Sequence, residues 1–484
     1  MLLYSLKYLR IHGQISPQPQ CHTCGEKTVS LVRVSKVDSY DDHVSIKSFI
    51  RDALHLSPQV AELFQASDPG RHVVIKPNWI QHSHEFDSDV WEPVMTHPSV
   101  VMATVECVAE ALDGKGVISV CDAPNTYADF EAILGRGALR KRFEDFRARW
   151  PEIQLEALDL RREVWVAKEQ VIVERRPNPP DPRGYVALNL GEHSLFYGHP
   201  AEGRYYGADY DEGVVNSHHH GKTQEYLLAG TPMSCDLFIN LPKLKTHKKV
   251  GITCCLKNLV GINGDKNWLP HFVEGSLRSG GDEFSKDAPA HTLERTLKRF
   301  GRKVALSVPG VGPWMFRKVR NVGQRVLGDS ESVVRGGNWS GNDTCWRMVL
   351  DLNRALLYGK TDGTWNEAPA TKRYLAIVDG IVGGEGNGPL CPTPVDSRVL
   401  LAGTSPASVD AVACRLMGFE LAKLPVVTRA FEDHRWPIHE CDMDSLEVLD
   451  GRVGKQVHLG EVQTAVPGGF TPHFGWTAHL RAAG

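Results

Sequence analysis

The chain has no uninterrupted apolar run of about 18 residues, the length a membrane-crossing helix needs, so no transmembrane span is expected. It has no surplus of positive charge either. With 55 Lys and Arg against 58 Asp and Glu, a net charge of −3 at pH 7 and a pI near 6.7, it lacks the basic balance of a dedicated nucleic-acid-binding protein. Its first twenty residues, MLLYSLKYLRIHGQISPQPQ, hold no long apolar core, no twin arginine and no small-residue cleavage site, so no signal peptide is expected. The eleven cysteines are odd in number and scattered, and Cys121, Cys235 and Cys254 sit in or beside apolar runs as reduced core thiols do. A cytoplasmic location is expected on that ground.

Several motifs are missing. No second CxxC accompanies Cys21-His22-Thr23-Cys24, which is therefore half a zinc site at most, and otherwise an N-terminal loop. The ferredoxin run C-x2-C-x2-C-x3-C is absent, so an iron–sulfur cluster is not expected. Neither G-x4-G-K-[ST] nor GxSxG occurs, which removes the usual phosphate loop and the usual nucleophile elbow. The glycine-rich GGEGNG is no dinucleotide fingerprint, because Pro389 follows where a helix would begin.

What is present is a globular composition, 42% hydrophobic and 23% charged over 484 residues, enough to bury a core. A recurring unit organises it: a short apolar, β-rich run that stops abruptly at polar, Gly or Pro residues and alternates with helical patterns. HVVI (72–75) breaks into Lys76-Pro77-Asn78-Trp79, and a helix near Pro98 carries Val101, Val105, Val108 and Leu112 on one face. VISVC ends at Asp122-Ala123-Pro124-Asn125; DLFIN (236–240) leads into a lysine-rich stretch; YLAIV (374–378) ends at Asp379-Gly380. VLLA (399–402) precedes Thr404-Ser405-Pro406, a helix start. This succession predicts an α/β fold with a mostly parallel, helix-covered sheet of Rossmann-like type and long insertions. The domain reading is an N-terminal extension over 1–45, a core over 46–435 with insertions at about 165–230 and 276–340, and a C-terminal extension over 436–484.

In open α/β sheets ligands bind beyond the carboxyl ends of the strands, where these units place Lys76, Asn78, Asp122, Lys243, Lys245, Asp379 and Glu385. The stretch NLPKLKTHKKVGITCCLKNLVGINGDK (240–266) puts six lysines and a histidine with a single acid next to a strand, as a phosphate or carboxylate ligand requires. We take Lys76, Asn78, Lys243, Lys245 and Asn387 as substrate-binding candidates. His247, Lys257 and Asn258 are the catalytic candidates, with His247 as proton carrier because the flanking lysines favour its neutral form. Asp122, Asp379 and Glu385 could hold Mg²⁺ or Mn²⁺, or simply balance the lysines as ion pairs. His218-His219-His220 and His82-x-His84 read as loop features rather than metal ligands. Residues 298–328 carry eight Lys/Arg and no acid, a basic surface for a partner or a membrane face, or a solvated helix pair.

IKPNW (75–79), THPSVV (96–101), VCDAPN (120–125), INLPKLKTHKKVGITCCLKNLVGING (239–264), VDGIVGGEGNGP (378–389) and TSPASVDAVACRLMG (404–418) resemble, in order, the signature blocks of the domain-of-unknown-function 362 family. Many members of that family resemble iron–sulfur proteins; this chain resembles the version without the ferredoxin segment. The resemblance implies a shared site at Lys76, Asn78, Asp122, Lys243, Lys245, His247, Lys257, Asn258, Asp379 and Glu385 and no particular reaction. The expectation is an enzyme that binds an anionic small molecule with a divalent cation for group transfer or ligation. The alternatives are a non-catalytic ligand-binding or sensing protein, or a metal or redox protein using the N-terminal CxxC.

Overall fold

The computed structural model describes residues 31–480 apart from 66, 67, 69, 169–170, 208–211 and 287–332. The Cys21/Cys24 pair and the basic stretch 298–328 lie outside the described residues.

Twelve strands form one sheet: β1 (Leu31–Lys36), β2 (His72–Pro77), β3 (Gly116–Asp122), β4 (Ile153–Asp159), β5 (Leu237–Leu241), β6 (Lys243–His247), β7 (Gly251–Thr253), β8 (Arg373–Asn387), β9 (Cys391–Val395), β10 (Val399–Gly403), β11 (Glu447–Asp450) and β12 (Lys455–His458). Their order is β12-β11-β1-β10-β8-β5-β2-β3-β4, with β6 and β9 also on β8 and β7 on β6. The block β8-β5-β2-β3-β4 is parallel throughout, and β10 joins it antiparallel. This is the α/β, helix-covered sheet that the repeated strand units predict.

Both faces are covered, which explains why the strands read as unbroken apolar runs instead of alternating. Val73 and Ile75 of β2 enter one core with α1 (His43–Ala53), α2 (Pro98–Ala111) and α3 (Leu139–Arg149), while Val74 enters the other with α5 (Cys345–Tyr358) and α6 (Pro406–Met417). The expected helix starts are present. Pro98 opens α2 behind His97, and Ser405 Oγ accepts the Ser408 N–H at 3.2 Å ahead of Pro406 in α6.

Two differences from the sequence pattern bear on the site. The 240–266 stretch is not a loop after a strand: Lys243–His247 is itself a strand, paired with β7 and, in parallel, with β8. Likewise β8 does not stop at Asp379-Gly380 but continues to Asn387, pairing with β9. The glycines that suggested a loop are there for close packing, since a Cβ on Gly384 would lie 2.9 Å from Lys245 Cβ and from Pro93 O. The insertion after β4 is strand-rich, with a hairpin of Glu163–Lys168 on Val171–Pro177. Residues 447–458 place β11 beside β1 and β12 beyond it, so the C-terminal stretch extends this edge of the sheet.

Candidate functional site

Adjacent parallel strands bring Lys76 and Asp122 together at their carboxyl ends. Lys76 Nζ lies 2.7 Å from Asp122 Oδ1 and donates to Pro77 O at 2.9 Å and Asn258 Oδ1 at 3.1 Å. The other Asp122 oxygen accepts the Trp79 N–H at 2.7 Å. Asn258, on the short helix α4 (Cys255–Asn258), also accepts from Asn78 Nδ2 at 3.0 Å and donates to Lys76 O at 3.2 Å and Asn240 Oδ1 at 2.7 Å. Asn240 in turn donates to Cys255 O and to the Tyr374 hydroxyl, both at 2.8 Å. Buried amides must be satisfied, and this chain of them ties β2, β5, β8 and α4 into one unit. Gly261 packs so tightly on the ion pair that a Cβ there would overlap Asp122 Oδ1 and come within 2.5 Å of Lys76 Nζ.

A second pair lies one strand over. Lys243 Nζ is 2.9 Å from Asp379 Oδ2, with both side chains 0% exposed, and 2.7 Å from the Tyr40 hydroxyl. Asp379 further accepts from Tyr40 Oη at 3.0 Å, His97 N at 2.9 Å and Ile381 N at 3.3 Å. Every lone pair of this carboxylate is engaged, as an ion pair this deep requires.

The other lysines of this stretch, Lys245, Lys249 and Lys257, have no carboxylate partner among the described residues. Lys245 is fully buried, and its amine is held by the carbonyls of Val94 and of Pro389, the latter at 3.2 Å. Burial drives its pKa well down, and Lys243 and Lys257 push it further. The amine of Lys257, half-buried on α4, forms no hydrogen bond or ion pair among the described residues; burial lowers its pKa, the Cys345 thiol opposes the shift and Lys76 adds to it. Burial, with Lys248 and Lys257 contributing, lowers Lys249 to about 8; it donates to Gly336 O and sits 4.8 Å above the Phe272 ring. His247 is neutral for the expected reason and one more: burial dominates, and Lys257, Lys248 and Lys249 follow. Its Nδ1 accepts the Lys249 N–H at 3.0 Å. His271, also held neutral by burial, with Lys257, Lys249 and Lys266 contributing, donates from Nδ1 to Leu269 O at 2.8 Å. Thr253 faces Lys245 across the β6–β7 ladder, and its buried Oγ1 has no partner among the described residues.

Asp122, Asp379 and Glu385 do not converge into a ligand set among the described residues. The first two are spent on Lys76 and Lys243, and Glu385 accepts the Thr471 N–H at 2.6 Å, fastening the C-terminal stretch to β8. Asn387 ends β8 opposite Cys391, half-buried. The group that does converge is Cys254, Cys255 and Asp410, where Asp410 accepts the N–H groups of Cys255 at 2.7 Å and Leu256 at 3.1 Å and so caps α4. His218 pairs with Glu225 at 2.9 Å and stacks on Trp268, while His219 is buried with both ring nitrogens bonded.

Sequence reasoning missed Tyr40, Thr253, His271 and Asp410. Tyr40 and His271 carry no local pattern, and distant chain segments deliver them. Asn240 was readable as the polar residue that ends an apolar strand.

A family model described as Domain of unknown function (DUF362) matches residues 160–415. No curated protein matches. Among solved structures, a protein from Thermotoga maritima is similar at 9% identity and TM-score 0.28, covering 73% of this chain and 53% of its own. The lactate racemase apoprotein from Thermoanaerobacterium thermosaccharolyticum is similar at 10% identity and TM-score 0.31, covering 80% and 57%. The chain therefore spans little more than half the length of either structure.

Proposed function

The chain belongs to the Domain of unknown function (DUF362) family, and from that premise we propose that it is an enzyme binding a phosphorylated or carboxylated small molecule at Lys245, Lys257 and His247 for group transfer or ligation. The observation that carries this reading is the charge imbalance at the strand ends. Lys76 and Lys243 have their carboxylates, whereas Lys245, Lys249 and Lys257 form no ion pair among the described residues. Burying an ammonium without a counter-ion costs several kcal/mol, and an anion that accepts its protons recovers much of that. The unpartnered Thr253 hydroxyl supplies a neutral donor beside Lys245. His247 moves the proton, and the amide chain through Asn258 keeps Lys76 and Asn78 in place. A divalent cation would arrive on the oxygens of the ligand, since Asp122 and Asp379 are already engaged. The nine described cysteines are all free and buried, which supports a cytoplasmic setting.

A thermal-shift panel of inorganic phosphate, pyrophosphate, sugar phosphates and dicarboxylates, each with and without Mg²⁺ or Mn²⁺, tests this. Ligand at one hundred times its Kd should stabilise the fold by about 2.7 kcal/mol. The shift should vanish in Lys245→Met. A panel in which no anion raises the midpoint would remove the reading.

A further inference from the structure

The described residues hold a group of side chains whose ligand atoms converge and which the anion reading does not use. Cys254 Sγ, Cys255 Sγ and a carboxylate oxygen of Asp410 all lie within 4.8 Å of one another, and the two sulfurs are 4.0 Å apart. Two sulfurs bound at about 2.3 Å to one tetrahedral ion sit about 3.8 Å apart, so the thiols already stand close to the spacing of a chelate. The trio is shut off from solvent, at 0%, 0% and 1% exposure.

Three elements deliver these atoms. Cys254 follows β7, which its pairing with β6 fixes in place; Cys255 opens α4; and Asp410 comes from α6, 155 positions along the chain. The carboxylate caps α4, one oxygen accepting the Cys255 N–H at 2.7 Å and the other the Leu256 N–H at 3.1 Å, so each oxygen keeps lone-pair capacity. Capping alone would be served by Ser or Asn without burying a charge. Asp410 forms no ion pair among the described residues, and burial pushes its pKa up to about 6. Burial also leads in keeping both thiols protonated, and the Asp410 charge adds to it; the Tyr374 hydroxyl, held by Asn240 at 2.8 Å, opposes the shift at Cys255. Cys414, one turn along α6 from Asp410 and fully buried, places another sulfur on the same side of that helix.

We propose that Cys254, Cys255 and Asp410 bind a thiophilic divalent cation of the zinc class, a structural ion that fastens α4 to α6. On binding, both S–H bonds break, two metal–sulfur bonds form and two protons leave for solvent, with no change of oxidation state. The net charge of the group is unchanged, but a cation now sits against the carboxylate. Sulfur ligands select against Mg²⁺ and Mn²⁺, so this ion is distinct from one carried on ligand oxygens, and the inference does not depend on the anion reading. Because α4 carries Asn258, which accepts from Lys76 and Asn78, the ion also steadies the amide chain at the strand ends.

Buried ligands load while the chain folds, so the metal is supplied during synthesis. The full chain carrying Cys21→Ser and Cys24→Ser, which removes the other cysteine pair, is produced in minimal medium supplemented with zinc or with cobalt, washed with a mild chelator and analysed by elemental mass spectrometry. About one ion per chain is expected in each case, with thiolate-to-cobalt charge-transfer absorption in the cobalt-grown protein. Thermal unfolding should come at a higher midpoint than in protein grown without either metal. Adding Cys254→Ser and Cys255→Ser should abolish both the ion and the absorption, and Asp410→Asn, which keeps a capping oxygen, should lower the metal retained. Natively folded Cys21→Ser/Cys24→Ser protein that retains no zinc or cobalt and shows no charge-transfer absorption would overturn the site. So would an ion that persists after both Cys254 and Cys255 are replaced.

Discussion

Replacing Asp379 by Asn removes one negative charge and almost no volume from the most deeply buried ion pair of the sheet. Lys243 then has an ammonium 0% exposed, with only the Tyr40 hydroxyl and a neutral amide beside it. Stranding a buried charge in this way costs about 3–5 kcal/mol. The reverse change, Lys243→Met, is milder, toward about 3 kcal/mol, because Asp379 keeps its donors Tyr40 Oη, His97 N and Ile381 N. In the double variant neither charge is left alone, so its loss should fall short of the sum of the single losses by about 0.5–3 kcal/mol. Urea unfolding followed by tryptophan fluorescence measures all four chains, with an unchanged m-value confirming that the effect is on stability. Single losses under about 1 kcal/mol that simply add would refute the reasoning and mean that Lys243 is already neutral or solvated. The same variants separate architecture from chemistry: a purely structural pair predicts that Asp379→Asn, once folded, retains anion binding.

Gly261→Ala should be tolerated by the backbone but not by the Lys76–Asp122 pair, which must separate to admit the methyl group. A loss of about 1–3 kcal/mol in the same urea assay is expected, and a neutral result would show that the pair has room to move. Acid should unfold the protein well above the carboxylate range. Burial lowers His72 and His219 to about 4, so below pH 6.5 the unfolded chain binds protons that the folded one refuses. Stability supplied by the neutral rings is complete above pH 6.5 and is lost as pH falls toward 4, at about 2.7 kcal/mol per pH unit for two sites. A stability curve flat from pH 6.5 to 4.5 would contradict their burial as neutral groups.

The sheet was legible because each buried strand announces itself as a short apolar run with an abrupt polar end, and HVVI, VISVC, DLFIN, YLAIV and VLLA all lie in the parallel block or beside it. Helix starts at Pro98 and Ser405 were legible from capping chemistry. Strand β6 was not, because KLKTH has lysines where a buried strand normally has aliphatic residues; only the tertiary surroundings, Asp379 for Lys243 and two carbonyls for Lys245, make those positions tolerable. Nor was the extension of β8 through GGEGN, since glycine signals a loop unless a neighbouring strand demands its small size. Candidate site residues were found by residue type and place. Their division of labour was not, because charge pairing depends on which strand ends are adjacent: Lys76 and Asp122 are 46 positions apart, and Lys243 and Asp379 are 136 apart.

Proton uptake on anion binding tests the central claim most directly. Sulfate has no pKa near neutrality, so any proton bound at pH 8.5 belongs to the protein, and calorimetry in buffers of different ionisation enthalpy counts it. Amines held low by burial and mutual repulsion, such as Lys249 at about 8, should be driven to their charged form by an anion. The account predicts uptake of about 0.5–1 proton per sulfate at pH 8.5, falling toward zero at pH 6 and in the Lys245→Met variant. Sulfate that binds with no proton uptake and equal affinity in Lys245→Met would mean that the anion sits elsewhere and that the buried lysines serve the fold alone.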